Sequence, residues 1–336
     1  MNFEERLRAF VLLGQRLTSI DSITLNSLYD RVGNQNPWFT PSNITTALTG
    51  VSRMLQEHDL RQWLSSYSFD DSRPSKTVGL VLAGNIPLVG FHDILTVLVT
   101  GNIALIKLSS KDSVLTEFVL QQLVDIEPRF RDRFSFTETL KNFDAVIATG
   151  SDNTSRYFEY YFSRYPSIIR KNRTSCAILT GQETPEELDQ LSADVFTYFG
   201  LGCRNVSKLW VPEGYNFPSL LDRWRKHEEI IQHHKYANNY DYQKAIALVN
   251  KTPFLDNGVV LLMESEKIVS PISVLYYEYY RTEHDLKERL SLVSDKIQCI
   301  VGKTPPATVP FGQAQFPGPG DYADRVDTVE FLLGLS

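Results

Sequence analysis

Residues 77–108 read TVGLVLAGNIPLVGFHDILTVLVTGNIALIKL, and their rhythm decides the fold. Thr77 to Ala83 is a short apolar run that stops at Gly84-Asn85. Pro87 to Thr100 is apolar and of helical length, Gly101 follows it, and Ile103 to Leu108 is a second apolar run. Short apolar runs closed by glycine turns and separated by a helix of roughly 10–15 residues predict βαβ units in a parallel sheet. The alternation continues downstream. Asp144 to Ala148 reads as a strand, Thr149-Gly150-Ser151 as a turn and Asn153 to Phe162 as a helix. Ser175 to Leu179 and Val206 to Val211 are further strands, followed by helices over 185–199 and 217–231 respectively, and Val274 to Tyr277 is an aromatic strand. Upstream, residues 1 to about 70 carry apolar positions at helical spacing, with Ser42 as an N-cap after Pro41. Prolines 305, 306, 310, 317 and 319 exclude a regular helix from Thr304 to Gly320. The pattern predicts an α/β chain with a helical N-terminus and two α/β domains with mostly parallel sheets, over 1–173 and 174–325, then a tail over 326–336.

Composition narrows the function classes. The chain has 336 residues, 34 Lys and Arg against 40 Asp and Glu, and a net charge of −6. That length exceeds a single core of roughly 250–300 residues. An acidic balance removes the electrostatic footprint of a nucleic-acid binder. Three cysteines do not make a disulfide framework, the first residues are acidic where a signal peptide is basic, and no apolar run of about 18 residues could span a bilayer. A cytoplasmic protein with free thiols, no integral membrane segment and no nucleic-acid partner is expected, with oligomerisation left open.

Three places could carry chemistry. Cys203 sits in Gly200-Leu201-Gly202-Cys203-Arg204-Asn205, where glycines admit a close backbone approach and Arg204 would favour the thiolate. Most free cysteines are instead small buried hydrophobes, as the apolar runs around Cys176 and Cys299 imply for those two. Asn85, at the carboxyl end of the first strand, could aim its amide at an oxyanion or simply serve a turn. The turns Lys107-Leu108-Ser109-Ser110-Lys111 and Thr149-Gly150-Ser151 suit a phosphate at a helix N-terminus, or plain capping by Ser110 and Ser151. Neither GxGxxG nor GxxxxGK[ST] occurs, no CxxC pair suggests zinc, and no metal site is expected.

In this order the pieces resemble the aldehyde dehydrogenase superfamily, and more closely its acyl-CoA reductase branch. Gly84-Asn85-Ile86-Pro87-Leu88, Gly101 to Ser109, Thr149-Gly150-Ser151 and Gly200 to Cys203 match four of its motifs. The resemblance implies an aldehyde-dehydrogenase-like fold, with a cofactor-binding domain first and a catalytic domain second. It implies Cys203 as nucleophile and Asn85 as oxyanion donor, with Lys107, Ser110, Thr149, Gly150 and Ser151 at the cofactor. The implied reaction is NAD(P)-dependent reduction of an acyl-CoA to an aldehyde through a Cys-bound acyl group. An acyl-phosphate reductase and a non-catalytic nucleotide-binding relative are the rival expectations.

Departures from the motifs sharpen this. Hydrolytic members place a Glu between the TGS turn and the Cys, whereas residues 160–182 contain no carboxylate. Without that base, attack by water is disfavoured, which argues for a reductase. The nicotinamide-ribose segment survives only in degraded form as Ser265 to Pro271, and the chain is short for the superfamily. Where NAD-preferring members carry a Glu three positions after the Lys, this chain has Ser110, with Lys111 beside it. A neutral residue flanked by cations accommodates a 2′-phosphate, so NADPH is expected, with NADH as the alternative.

Overall fold

The computed structural model describes residues 1–335, and its backbone forms two units: residues 1–172 with the segment from Phe316 onward, and Arg173–Gln315.

The first unit opens with four helices, α1 (Phe3–Leu17), α2 (Ser22–Gln35), α3 (Pro41–Met54) and α4 (Glu57–Leu64). Leu7, Phe10, Leu13 and Leu17 form the buried face of α1, spaced as helix periodicity requires. The cap of α3 is Thr40, whose hydroxyl accepts the Asn43 N–H at 3.3 Å, rather than the expected Ser42. Proline's fixed φ suits the first helical position, so Pro41 begins the helix and the cap falls before it.

Then come β1 (Thr77–Val81), α5 (Phe91–Val99), β2 (Ile103–Lys107), α6 (Ser113–Ile126), β3 (Phe134–Phe136), β4 (Ala145–Thr149), α7 (Asp152–Tyr161) and β5 (Ser167–Arg170). They build a five-stranded sheet of order β3-β2-β1-β4-β5 whose neighbouring strands are all parallel. Strand order reverses between β1 and β4, and the carboxyl ends beside such a reversal form the ligand crevice of open α/β sheets. The apolar stretch expected to be helical from Pro87 starts its helix only at Phe91. Leu88 has φ +57°, and its N–H is held by the Asp112 carboxylate at 2.8 Å, so residues 87–90 turn instead. Asp93 of α5 pairs with Arg170 of β5 at 2.7 Å, both nearly buried.

The second unit contains β6 (Thr174–Ile178), α8 (Pro185–Phe196), β7 (Val206–Pro212), α9 (Phe217–Trp224), α10 (His234–Val249), β8 (Leu255–Asp256), β9 (Leu261–Glu264), β10 (Val274–Tyr280), α11 (Glu283–Leu292) and β11 (Ile297–Val301). Its sheet runs β11-β6-β7-β10-β9-β8, parallel except where β8 meets β9. Helix α8 stops at Phe196, short of the expected Phe199, because Tyr198 and Phe199 adopt φ of 55° and 58°. Helix α9 likewise ends at Trp224 and gives way to 3-10 turns, short of the expected Ile231.

The C-terminal boundary also differs from the expected 325. Residues from Phe316 onward pack with the first unit and include a further helix, α12 (Thr328–Leu333), where a plain tail was expected from 326. Tyr322 accepts a hydrogen bond from the Trp63 indole at 2.7 Å, His92 meets the Pro319 carbonyl at 2.8 Å, and Val329 and Leu332 are fully buried.

Candidate active site

Because β1, β2 and β4 are parallel, their carboxyl ends share one edge of the first sheet. Lys107 closes β2, Asn85 lies in the turn after β1, and Thr149 closes β4. Asn85 is exposed. The turn that bears it lies so close to the loop after β2 that a Cβ on Gly84 would collide with the Ser109 side chain. Glycine is therefore required there for close approach. The Lys107 ammonium donates to the Glu138 carbonyl at 2.5 Å, and Ser110 and Lys111 are exposed beside it. Ser110 does not cap a helix as one expectation had it, since α6 starts at Ser113 with Asp112 at the cap position. Ser151 does cap α7, its hydroxyl accepting the Thr154 N–H at 3.3 Å, and the Gly150 N–H is pinned to the Arg170 carbonyl at 3.2 Å.

Asp112 was not singled out in the sequence. It is 3% exposed, and burial pushes its carboxyl up to about 8 despite the Leu88 N–H that it accepts. A carboxyl raised this way is protonated in the fold at pH values where the unfolded chain has already ionised it. Its contribution to stability is complete below about pH 4 and is lost as pH rises through about 8. Asp112→Asn keeps an acceptor for Leu88 and removes that loss. Thermal melts should show the variant above the parent at pH 8.5, by about 2–4 °C per kcal/mol recovered, and level with it near pH 4. An equal gap at both pH values would exclude the mechanism.

In the second unit, Cys203 occupies a partly exposed turn between α8 and β7. Tyr198, Phe199 and Gly200 all have positive φ, Gly200 at +76°, so the chain leaves α8 through a left-handed run. Asn205, 1% exposed, fastens the turn. Its amide oxygen accepts the Gly202 N–H at 2.8 Å, and its amide nitrogen donates to the carbonyls of Thr197 at 2.8 Å and Asp194 at 3.1 Å. The Ser175 hydroxyl donates to the Cys203 carbonyl at 3.0 Å. Arg204 directs its Nε to the Ala314 carbonyl at 2.5 Å, and Asp194 accepts the N–H groups of Gly312 and Ala314 at 2.6 and 2.9 Å. The proline-rich segment is thus clamped beside the cysteine turn. Burial pushes the Asp194 carboxyl up to about 6. Cys176 and Cys299 are buried within β6 and β11, and burial drives the Cys176 thiol up to about 12. A thiol so placed stays protonated, and Cys203 differs from it in being partly exposed.

The edge of the first sheet suits a dinucleotide. Lys107 ends β2 and the Ser110 hydroxyl and Lys111 follow it, while Thr149 ends β4 and the capped start of α7 follows, so two cations, hydroxyls and a helix N-terminus flank the crevice at β1. Among the described residues no group of three His, Cys, Asp or Glu could hold a metal ion, and no helix is long and apolar enough to cross a membrane.

Residues 37–214 match the family model described as acyl-CoA reductase (LuxC). Among curated proteins, the chain is 23% identical over 218 residues to the long-chain acyl-protein thioester reductase of Aliivibrio fischeri, the alignment covering 58% of this chain and 44% of that protein. It is 20% identical over 215 residues to the protein of the same name in Photorhabdus laumondii, with the same coverages. The chain thus spans less than half the length of these relatives. Among solved structures, an aldehyde dehydrogenase of Mycobacterium tuberculosis complexed with NAD+ superposes with a TM-score of 0.64 at 12% identity, covering 91% of this chain and 74% of that one. A structure from Burkholderia cenocepacia described as an aldehyde dehydrogenase gives 0.63 at 12% identity, over 86% of this chain and 72% of the other. The fold is aldehyde-dehydrogenase-like, with a parallel first sheet and a helical N-terminus.

Proposed function

This chain belongs to the acyl-CoA reductase (LuxC) family, and from that premise we propose that it reduces an acyl thioester to an aldehyde. The observation that carries the proposal is the pairing of the family match with one partly exposed cysteine on a turn fastened by Asn205, while the other two cysteines are buried. The Cys203 thiolate attacks the thioester carbonyl, and the Asn85 amide with the Cys203 N–H receives the oxyanion. The departing thiolate takes up a proton, leaving the acyl group as a thioester on Cys203. Lys107, Ser110, Thr149, Gly150 and Ser151 would hold NADPH, which would supply the hydride there. Collapse of the resulting hemithioacetal alkoxide releases aldehyde and restores the Cys203 thiolate. No carboxylate between residues 160 and 182 is available to activate water, which protects the bound acyl group from hydrolysis.

The donor thiol is either that of coenzyme A, as the family's description has it, or one carried by a protein, as the names of the curated relatives have it. Steady-state assays with long-chain acyl-CoA and with an acylated carrier protein, each with NADPH, separate the two. Turnover with neither, but with an acyl phosphate, would overturn the thioester assignment. Because Ser110 and Lys111 stand where a ribose-binding Glu would exclude a 2′-phosphate, kcat/KM for NADPH should exceed that for NADH by about tenfold or more. A clear preference for NADH would remove that argument.

A further inference from the structure

At the opposite edge of the first sheet lies a polar cavity of about 310 Å³, lined among others by Arg6, Arg73, Arg133, Asp71, Ser75 and Gly101. Ser75 precedes β1, Gly101 precedes β2 and Arg133 precedes β3, so the cavity sits at the amino ends of the strands, away from Lys107, Asn85 and Thr149. We propose that this cavity is a binding site for a phosphate-class oxyanion.

The partners of the charged groups support this. Arg6 is spent: its guanidinium donates to the carbonyls of Val99 at 2.9 Å and Met1 at 2.6 Å, and pairs with Asp71 at 3.0 Å. Asp71 also accepts the Phe3 N–H at 3.0 Å, and Asp70, the other acidic residue in the lining, accepts the Ser72 N–H and hydroxyl at 2.9 and 2.6 Å. Among the described residues, Arg73 and Arg133 hydrogen-bond to neutral groups, and Arg73 also lies within the field of the Asp70 carboxylate. Arg73 donates from Nη1 to the Leu333 carbonyl, and its Nη2 is buried with no hydrogen-bond acceptor. Arg133 donates from Nη1 to the Ser75 hydroxyl at 2.8 Å and more weakly to the Gly101 carbonyl. By side chain the lining therefore holds three arginines against two aspartates, and Arg133 enters no ion pair among the described residues. A tetrahedral oxyanion supplies several acceptors at once in the geometry that guanidinium forks match. The volume admits a phosphate group with room for the alcohol it esterifies. This site stands independently of the reductase assignment.

Thermal melts of the full chain with inorganic phosphate, at ionic strength held constant with chloride, test the site. A saturable rise in Tm is expected for the parent. The apparent affinity should fall at least tenfold in Arg73→Gln and in Arg133→Gln, and remain unchanged in Ser151→Ala at the nucleotide edge. Line broadening of the 31P signal by the parent protein reports the same binding without a variant, and should saturate over the same phosphate range. A rise reproduced by chloride, or no broadening, would mean that the cavity holds only water. A rise lost in Ser151→Ala but kept in both arginine variants would place the phosphate at the nucleotide edge and overturn the proposal.

Discussion

Cys203→Ala is expected to abolish acyl-thioester-dependent oxidation of NADPH, lowering kcat/KM by about three orders of magnitude or more, because the proposed acyl intermediate forms on its thiol. The loss should appear in chemistry and not in folding. Cys203 occupies a partly exposed turn fastened through its neighbours, so truncation of its thiol should change stability by no more than about 0.5 kcal/mol. NADPH binding, followed by quenching of protein fluorescence, should survive because the groups assigned to the cofactor lie on the first sheet. Cys203→Ser is expected to be nearly as inactive, since a hydroxyl is not appreciably ionised near neutral pH. Mild alkylation offers a second measurement. Cys176 and Cys299 are 0% and 3% exposed, so iodoacetamide should label Cys203 first and inactivate in step with labelling. Turnover that persists in Cys203→Ala would remove the nucleophile assignment, whatever the alkylation data show.

The largest expected effect on stability belongs to Asn205→Ala. Its side chain satisfies the buried Gly202 N–H and donates to carbonyls that close the end of α8, at Asp194 and Thr197. Truncation leaves these backbone groups without partners in a site too enclosed for bulk water, at a cost of about 2–4 kcal/mol. Asn205→Asp should fare no better, since it loses both donors and turns a negative charge toward carbonyl oxygens. Denaturant unfolding measures the loss. Assays run well below the melting temperature should show a lower kcat with little change in KM, because the turn that orients Cys203 has slackened while the first sheet is untouched. A variant that keeps both its stability and its kcat would mean that the amide does not hold the turn.

The parallel strands were legible because their apolar residues run together, as at Val78 to Ala83 and Ile103 to Ile106, with β1 buried through its middle and β2 alternating buried and half-buried positions. Short edge strands carried no such signal. Phe134–Phe136 has only three residues, and two of them are exposed. Helix ends were misplaced wherever a side chain distant in sequence decided the backbone, as Asp112 does at Leu88. The candidate groups Cys203, Asn85 and Thr149 to Ser151 could be named from motifs. The residues that fasten them could not. Asn205 stands two positions from Cys203 and was quoted with it, yet its role rests on backbone carbonyls that only folding brings near. Asp194 and Arg204 meet a segment more than a hundred residues further along the chain.

The return of the segment beyond Phe316 to the first unit has a consequence for synthesis on the ribosome. The second unit is an insertion within the first, so the first cannot be finished when its own sheet has emerged. Trp63 waits for Tyr322, a separation of 259 residues, and Arg170 waits for Thr328. The inserted unit, whose sheet is complete by Val301, can fold beforehand as a closed piece. Until the segment beyond Phe316 arrives, the nascent first unit exposes the apolar surface that Val329 and Leu332 later cover, and that interval is when a chaperone or an aggregating neighbour would find it.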